Sequence, residues 1–426
     1  MTKISARLLI LLIFLISHFA SAQDTVVIEE QIPVFDSLQL LYPFLATDKN
    51  QISGDSTALI PFFNKLKKLG KGEKAQAVIV HIGDSHIQAG FVTQQIRDGL
   101  QAQFGNAGIG MIFPYRVAKS NGPPGYVSHA DTPWIASRNA APRQLLPTGI
   151  SGFTIWSDLP SPSFTIEFTS PKIFGAGESK LTVFHGSRDS CCIFSVINET
   201  NGLSYPIIDS SKNNSTTYQL TDQPVKIRIR GMRTNDSLRS ATFYGMSLTS
   251  EAPGVIVHTI GVNGATFENY LHSEHFVDHL ADLHPDLLIV SLGTNEAASY
   301  KNYETSGFVS MVDSLMIKIR HQGIEAGVLF TTPPGIYKSY RKKRRTQYKP
   351  NPVTETVSAV LKEYASRNSM CYWDWYTIMG GPTAMAKWKA KKMTDKKYIH
   401  FSSKGYRIQG LLLFKAISRS YNLYFK

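Results

Sequence analysis

The sequence predicts an α/β protein: a mostly parallel sheet with helices on both faces, interrupted by an all-β insertion. Three observations carry this. Apolar runs rich in β-branched residues alternate with amphipathic helical stretches in both the first and the last thirds of the chain. Between residues 148 and 250 that rhythm gives way to short alternating runs separated by Gly, Asn, Asp and Ser. Three of the apolar runs also end in short polar, glycine-containing turns, at Ser85, Gly264 and Asn295. In parallel sheets the carboxyl ends of the strands are where ligands bind.

The chain opens on Lys3 and Arg7, an apolar run at residues 8–16 and the small residues Ala20, Ser21 and Ala22. This reads as a cleaved signal peptide over residues 1–22, with an uncleaved anchor as the alternative. Export is expected, to the periplasm or the medium. No later stretch approaches the ~20 apolar residues of a spanning helix, so no transmembrane segment is expected after cleavage.

Residues 23–74 form an expected N-terminal extension. Its helix, at 56–69, puts Leu59, Phe62, Phe63, Leu66 and Leu69 on one face, with Asp55 or Ser56 as cap and Gly70 as stop. We take it as a brace. Residues 75–147 are the first part of the α/β domain. Val78 to Ile82 reads as a buried strand, Gly83 permits a tight exit, Asp84, Ser85 and His86 follow, and Val92, Ile96 and Leu100 mark a helix. The glycine-rich segment 105–110 follows a helix without opening another. It is therefore a poor phosphate cradle, and is expected as a loop beside the site. Residues 121–125 are a second turn cluster.

The insertion is placed at residues 148–252, with strands at 164–168, 181–184, 192–197, 205–208, 225–229 and 242–248, and reads as a sandwich. It either binds sugar or shields the cleft. The α/β rhythm returns over 253–426. Strands at 255–262, 286–292, 327–332 and 370–375 alternate with helices at 267–283, 306–321, 353–366 and 403–419.

Formal net charge is +13, from 45 basic and 32 acidic residues, which either favours anionic partners such as cell-wall polymers or membrane surfaces or merely keeps the protein soluble. The sharpest charge run is residues 340–349, containing Arg341, Lys342, Lys343, Arg344 and Arg345. It reads as a loop near the site. Export argues against nucleic acid, leaving an anionic glycan or wall polymer, or a merely solvated loop. The cysteines are Cys191, Cys192 and Cys371. A bridge to Cys371 is open, and no pair has metal-ligand spacing. Trp134 with Trp156, and Trp373 with Trp375, stack on sugars or fill the core; for the second pair we favour the core.

Four blocks carry a family resemblance: Gly83-Asp84-Ser85, Asn263-Gly264, Gly293-Thr294-Asn295, and His400 followed by Gly405-Tyr406. In this order they resemble the SGNH (GDSL-like) hydrolases. The resemblance implies a three-layer α/β/α, flavodoxin-like fold and a serine esterase needing no metal or organic cofactor. It implies Ser85 as nucleophile, His400 as its base, and the Ser85 N–H, the Gly264 N–H and the Asn295 amide as oxyanion donors. Asp84 and His86 are expected to support the site. The family's acid stands three residues before the histidine; here that residue is Lys397. Asp395, Asp374 or a backbone carbonyl remain as the groups to orient His400. A finer resemblance, through His86 and the insertion, is to exported peptidoglycan O-acetylesterases, so the expected substrate is an acylated glycan. A glycan O-acyltransferase and an inactive wall-binding protein are the rivals.

Overall fold

The computed structural model describes residues 37–187, 192–211, 214–233, 240–299 and 304–425. The expected signal peptide, most of the residues between it and the first helix, and Cys191 lie outside them. All the described residues belong to the unit that begins at Pro33.

The Gln76–Gly83 strand is the second strand from one edge of a six-stranded sheet. Parallel partners flank it in register, Gly254–Gly261 on one side and Leu287–Ser291 on the other. Gly327–Thr331 and Cys371–Trp373 continue the parallel run, and Ile52–Gly54 closes the far edge antiparallel. From Ala77 to Gly83 every residue is buried, as a strand covered on both faces requires. His81 is the one polar exception in that run. It shares hydrogen bonds with Thr93 Oγ1 (3.0 Å) and Ser291 Oγ (2.8 Å), and burial pushes its pKa down to about 3, so it is neutral.

The chain leaves the Gln76–Gly83 strand for the Gly254–Gly261 edge and then returns to its other side. Strand order reverses there. A crevice therefore opens beyond the carboxyl end of Gln76–Gly83, directly above Asp84 and Ser85. The helix Ile60–Gly70 follows a short 3-10 turn capped by Asp55 and buries Phe62, Phe63, Leu66 and Leu69, as the sequence indicated. The stretch expected as one helix at 267–283 is two, Phe267–Leu271 and Phe276–Ala281.

The β-rich region consists of two antiparallel sheets. One contains strands Ile135–Arg138, Phe153–Ser157, Ser179–His185, Ile207–Ser211, Ser215–Leu220 and Ala241–Ser250, joined by Gly110–Ile112. The other contains Tyr126–Ala130, Ser163–Phe168, Ile193–Asn198 and Lys226–Met232. Their facing sides meet through aromatic rings. Phe243 of the first sheet lies edge-on to Phe164 (5.0 Å) and Phe194 (5.8 Å) of the second, which gives the interdigitated core of a sandwich. Strands at 110–112, 126–130 and 135–138 join these sheets although they precede residue 148. They are short, and their burial does not alternate with polarity: Gly110–Ile112 is wholly buried and Ile135 is exposed, so no clean alternation marked them.

Two further readings change. The glycine-rich segment 105–110 packs on Pro253 and Gly254, at the amino end of the edge strand. It is therefore at the opposite end of the sheet from the site, because its glycines serve close backbone approach rather than a ligand. The basic run is a β-hairpin, Tyr337–Lys342 paired with Arg345–Pro350, rather than a loop. Lys343 and Arg344 turn it with φ of 47° and 64°. Such turns usually carry Asn or Gly, so no hairpin signal marked this one. Cys192 and Cys371 are buried free thiols, so no disulfide joins them. Trp373 and Trp375 stack at 5.2 Å and are fully buried, which is the core reading.

Candidate active site

Gly83 ends the Gln76–Gly83 strand where a Cβ would lie 2.3 Å from the Ile87 side chain and 3.0 Å from the Ser291 carbonyl. Only glycine lets the chain turn there into the short helix Ser85–Gln88. Asp84 caps it, accepting from the His86 N–H at 2.9 Å. Ser85 Oγ is left half-buried at the rim, 2.9 Å from His400 Nε2. His400 Nδ1 in turn lies 3.3 Å from Asp395 Oδ2.

The five-residue spacing between Asp395 and His400 works because the loop folds back on itself. Asp395 Oδ1 accepts from the N–H groups of Lys397 (3.0 Å) and Ile399 (3.1 Å), the Asp395 N–H donates to the His400 carbonyl (2.8 Å), and Tyr398 takes a φ of 60°. The second oxygen is thereby aimed at the imidazole. Asp374, the other candidate, is engaged elsewhere. It caps the helix Trp375–Ile378 and pairs with Lys362 at 2.7 Å.

Opposite Ser85 lies the turn after the Gly254–Gly261 strand. Gly264 has φ +87°, a conformation suited to glycine, and its backbone faces the cleft with only Ala140 near. Among the described residues neither the Ser85 N–H nor the Gly264 N–H has a backbone acceptor, so both are available to an oxyanion. Asn295 also lines the cleft. Its amide donates to the Ala265 carbonyl (2.9 Å) and lies 3.5 Å from Asp84 Oδ2. These residues, with Asn121, Arg138, Asn263, Thr294 and Tyr406, surround an open cleft of about 580 Å³.

Three contributors escaped the sequence. Gln88, fully buried, accepts from the Asn263 N–H (2.6 Å) and donates to the Asn121 carbonyl (2.6 Å) and Ser120 Oγ (2.8 Å). It ties the Ser85 helix to the turn holding Gly264, one helical turn away. Its place three residues after Ser85, facing inward, was the only available signal. Asn121 reaches the cleft from the turn cluster, and Arg138 from a strand of the β-rich region. No periodicity places either of them.

His86 is buried. It shares a hydrogen bond with Tyr406 Oη at 3.1 Å and lies 5.4 Å from the His400 ring. Burial, and then the nearby charge of His400, hold its pKa well below the ordinary value. It thus supports His400 as a neutral neighbour rather than a second base.

Two buried carboxyls underlie the site. Burial raises both Asp84 and Glu296 to about 7, and the Asp84 charge adds to the shift of Glu296. Backbone N–H groups of His86 and Phe267 partly offset this. Both pKa values lie above those of an unfolded chain, so the folded state holds protons that the unfolded state releases. The stability these two carboxyls contribute is therefore full below about pH 4 and is lost as pH rises towards 7, by on the order of a few kcal/mol, while the buried neutral His81, His86 and His258 act in the opposite sense. Denaturant unfolding between pH 4 and 8 checks this. Relative to wild type, Asp84→Asn with Glu296→Gln should gain stability as pH rises; parallel profiles for wild type and variant would remove these carboxyls as contributors.

Among the described residues no group of His, Cys, Asp and Glu could hold a metal ion. A Ser–His–Asp line at the carboxyl edge of a doubly wound parallel sheet, with backbone donors opposite, is the arrangement of a serine hydrolase of the SGNH class. The chain is similar to the GDSL-like lipase/acylhydrolase family, whose model matches residues 214–408, and it is an esterase. That match takes in Gly264, Asn295, Asp395 and His400; Ser85 lies before it and joins them through the sheet. No curated protein matches the chain. A solved structure of a peptidoglycan O-acetylesterase is 20% identical and superposes with a TM-score of 0.72 over 87% of this chain and 99% of its own, which shows a shared fold, β-rich region included. A lipase/acylhydrolase from Enterococcus faecalis is 22% identical over 39% of this chain and 77% of its own, with a TM-score of 0.29. An acetyl xylan esterase is 17% identical over 38% and 80%, also with a TM-score of 0.29.

Proposed function

We propose that this protein is an exported esterase that removes O-acetyl or another small acyl group from a glycan, with peptidoglycan the leading candidate. The observation that carries the reading is the continuous line from Asp395 through His400 to Ser85 Oγ, opening on a cleft with two free backbone donors.

His400 Nε2 takes the Ser85 proton as Oγ attacks the acyl carbonyl. The oxyanion is met by the N–H groups of Ser85 and Gly264 and by the Asn295 amide. Loss of one such donor typically costs about 10²–10³ in rate. Collapse breaks the ester bond, and His400 returns its proton to the departing sugar hydroxyl. A water then attacks the acyl-Ser85 ester, giving its proton to His400; the bond from the acyl carbon to Ser85 Oγ breaks, His400 returns that proton to Oγ, and the free acid leaves. Asp395 holds the imidazole in the tautomer that this exchange needs. The cleft is open, as a polymer chain requires, and Arg138 stands at its wall. The fold shared with a peptidoglycan O-acetylesterase and the signal-like residues 1–22 support wall glycan as substrate. The cations Arg341 to Arg345 would face the polymer's anionic groups. Among the described residues no helix is long and apolar enough to cross a membrane.

The test is acetate release from O-acetylated peptidoglycan, with p-nitrophenyl acetate alongside. Release of wall acetate into water, without added acceptor, is expected. Turnover of the nitrophenyl ester alone would reject the wall substrate, and acetate transfer only in the presence of an acceptor sugar would make the protein an acyltransferase.

A further inference from the structure

The positive charge of this protein is not spread over its surface. Residues 337–349 and 387–398 hold thirteen of its 45 basic residues and one of its 32 acidic residues; the rest of the chain has 32 basic and 31 acidic. Nearly the whole excess therefore comes from two short segments, and these two segments touch. Tyr337 of the hairpin stacks on Tyr398 at 5.0 Å, its N–H donates to the Tyr398 carbonyl (3.1 Å), and Tyr348 packs on the same ring at 5.4 Å. Tyr398 stands two residues before His400. The single acid in the pair of segments is Asp395, already committed to His400.

Twelve of the thirteen cations are exposed; Lys389 is half-buried over the Tyr398 ring. None of the thirteen forms an ion pair among the described residues. Placing so many like charges in two touching segments costs self-repulsion, and a hairpin whose strand residues beyond Tyr337 are exposed or half-buried gains little from folding. The stacked tyrosines fix the hairpin against the histidine loop all the same. A solubilising charge would need neither the clustering nor the fixed position.

We propose that this face is a binding strip for the polymer that bears the ester, and that the polymer is a carboxylate-bearing glycan. This deepens the esterase reading above and rests on it for the identity of the substrate. The strip begins at the catalytic loop, so a polyanion lying along it presents its acylated sugars to Ser85. The hairpin tip, Lys343 and Arg344, has no apolar side chain to enter a bilayer, and the aromatic rings of Tyr337 and Tyr348 are spent on Tyr398. The chemistry therefore favours a hydrated polyanion over a lipid surface. Attraction of this kind acts mainly on capture and fades beyond about 8–10 Å at physiological salt.

The test uses the full mature chain. Ser85→Ala is sedimented with O-acetylated peptidoglycan sacculi, with chitin as the uncharged glycan and with phosphatidylglycerol vesicles, at low and high salt. A second protein carries Arg341→Gln, Lys342→Gln, Arg345→Gln, Lys387→Gln and Lys391→Gln. Retention on sacculi but not on chitin, lost in high salt and reduced about tenfold or more by the five substitutions, is the expected result. With Ser85 present, those substitutions should lower kcat/KM on sacculi about tenfold more than on p-nitrophenyl acetate, whose turnover also reports an intact fold. Equal retention with and without the substitutions, or retention on the vesicles alone, overturns the strip. If the wild type turns over neither ester, the esterase reading fails, and sedimentation still decides the strip by itself.

Discussion

Ser85→Ala is expected to lower kcat by about 10⁶ on any ester the protein cleaves, while leaving the fold intact. The size follows from how the site divides its labour. His400 has no proton to take without the Ser85 hydroxyl 2.9 Å from Nε2, so removing the hydroxyl silences base and acid together. What survives is the binding cleft and the donors at residues 85 and 264, which by themselves sustain only about 10³–10⁴ over the reaction in water. The substitution removes one half-buried oxygen and leaves the Asp84 cap and its bond to the His86 N–H in place, so stability should hold within about 1 kcal/mol. Burst kinetics with p-nitrophenyl acetate check both points. Wild type should release nitrophenol in a burst if deacylation is slow, and Ser85→Ala should show neither burst nor steady turnover. Residual turnover within a few-fold of wild type would remove Ser85 as nucleophile.

How much of this was legible beforehand depends on where the information sat. The parallel sheet was legible because its strands are covered on both faces and read as unbroken apolar runs, Ala77 to Ile82 and Val255 to Ile260 being clear cases. The site's main chain followed, since a doubly wound sheet leaves few places where Ser85, Gly264 and Asn295 can meet. The first strands of the β-rich region were not legible, because Tyr126–Ala130 and Ile135–Arg138 are short, partly exposed edge strands. Gln88 was hidden for another reason. Its role is a set of three long-range hydrogen bonds, and a buried glutamine looks like any other until its partners at 120, 121 and 263 are known. The hairpin was hidden by its turn, which uses Lys343 and Arg344 where Asn-Gly would have signalled it. The two free thiols show the converse: cysteine count left a bridge open, and placement closed it.

Asp395→Asn should lower kcat by about 10⁴ with little change in KM, the loss seen when the corresponding acid of a serine protease is made an amide. The pattern of this family would not have assigned that role to Asp395, because the residue three before the histidine is Lys397. The loop geometry does. One carboxylate oxygen is occupied by the N–H groups of Lys397 and Ile399, which tighten the segment; the other is left for His400 Nδ1 at 3.3 Å. An asparagine can keep the first set of contacts through its carbonyl oxygen but then turns an NH₂ group towards Nδ1. The imidazole would flip to the tautomer that carries its proton on Nε2, where it can no longer accept from Ser85. Asp374→Asn supplies the contrast. That carboxylate pairs with Lys362 and caps Trp375–Ile378, so its replacement should lower stability by about 1–2 kcal/mol and leave kcat within a few-fold. Steady-state kinetics on p-nitrophenyl acetate, with thermal melts for both variants, separate the two. If Asp374→Asn took the large kinetic loss and Asp395→Asn only the small one, the loop from 394 to 401 would not be what orients the histidine. The expected order places the acid five residues before its histidine, held there by the backbone of the intervening turn.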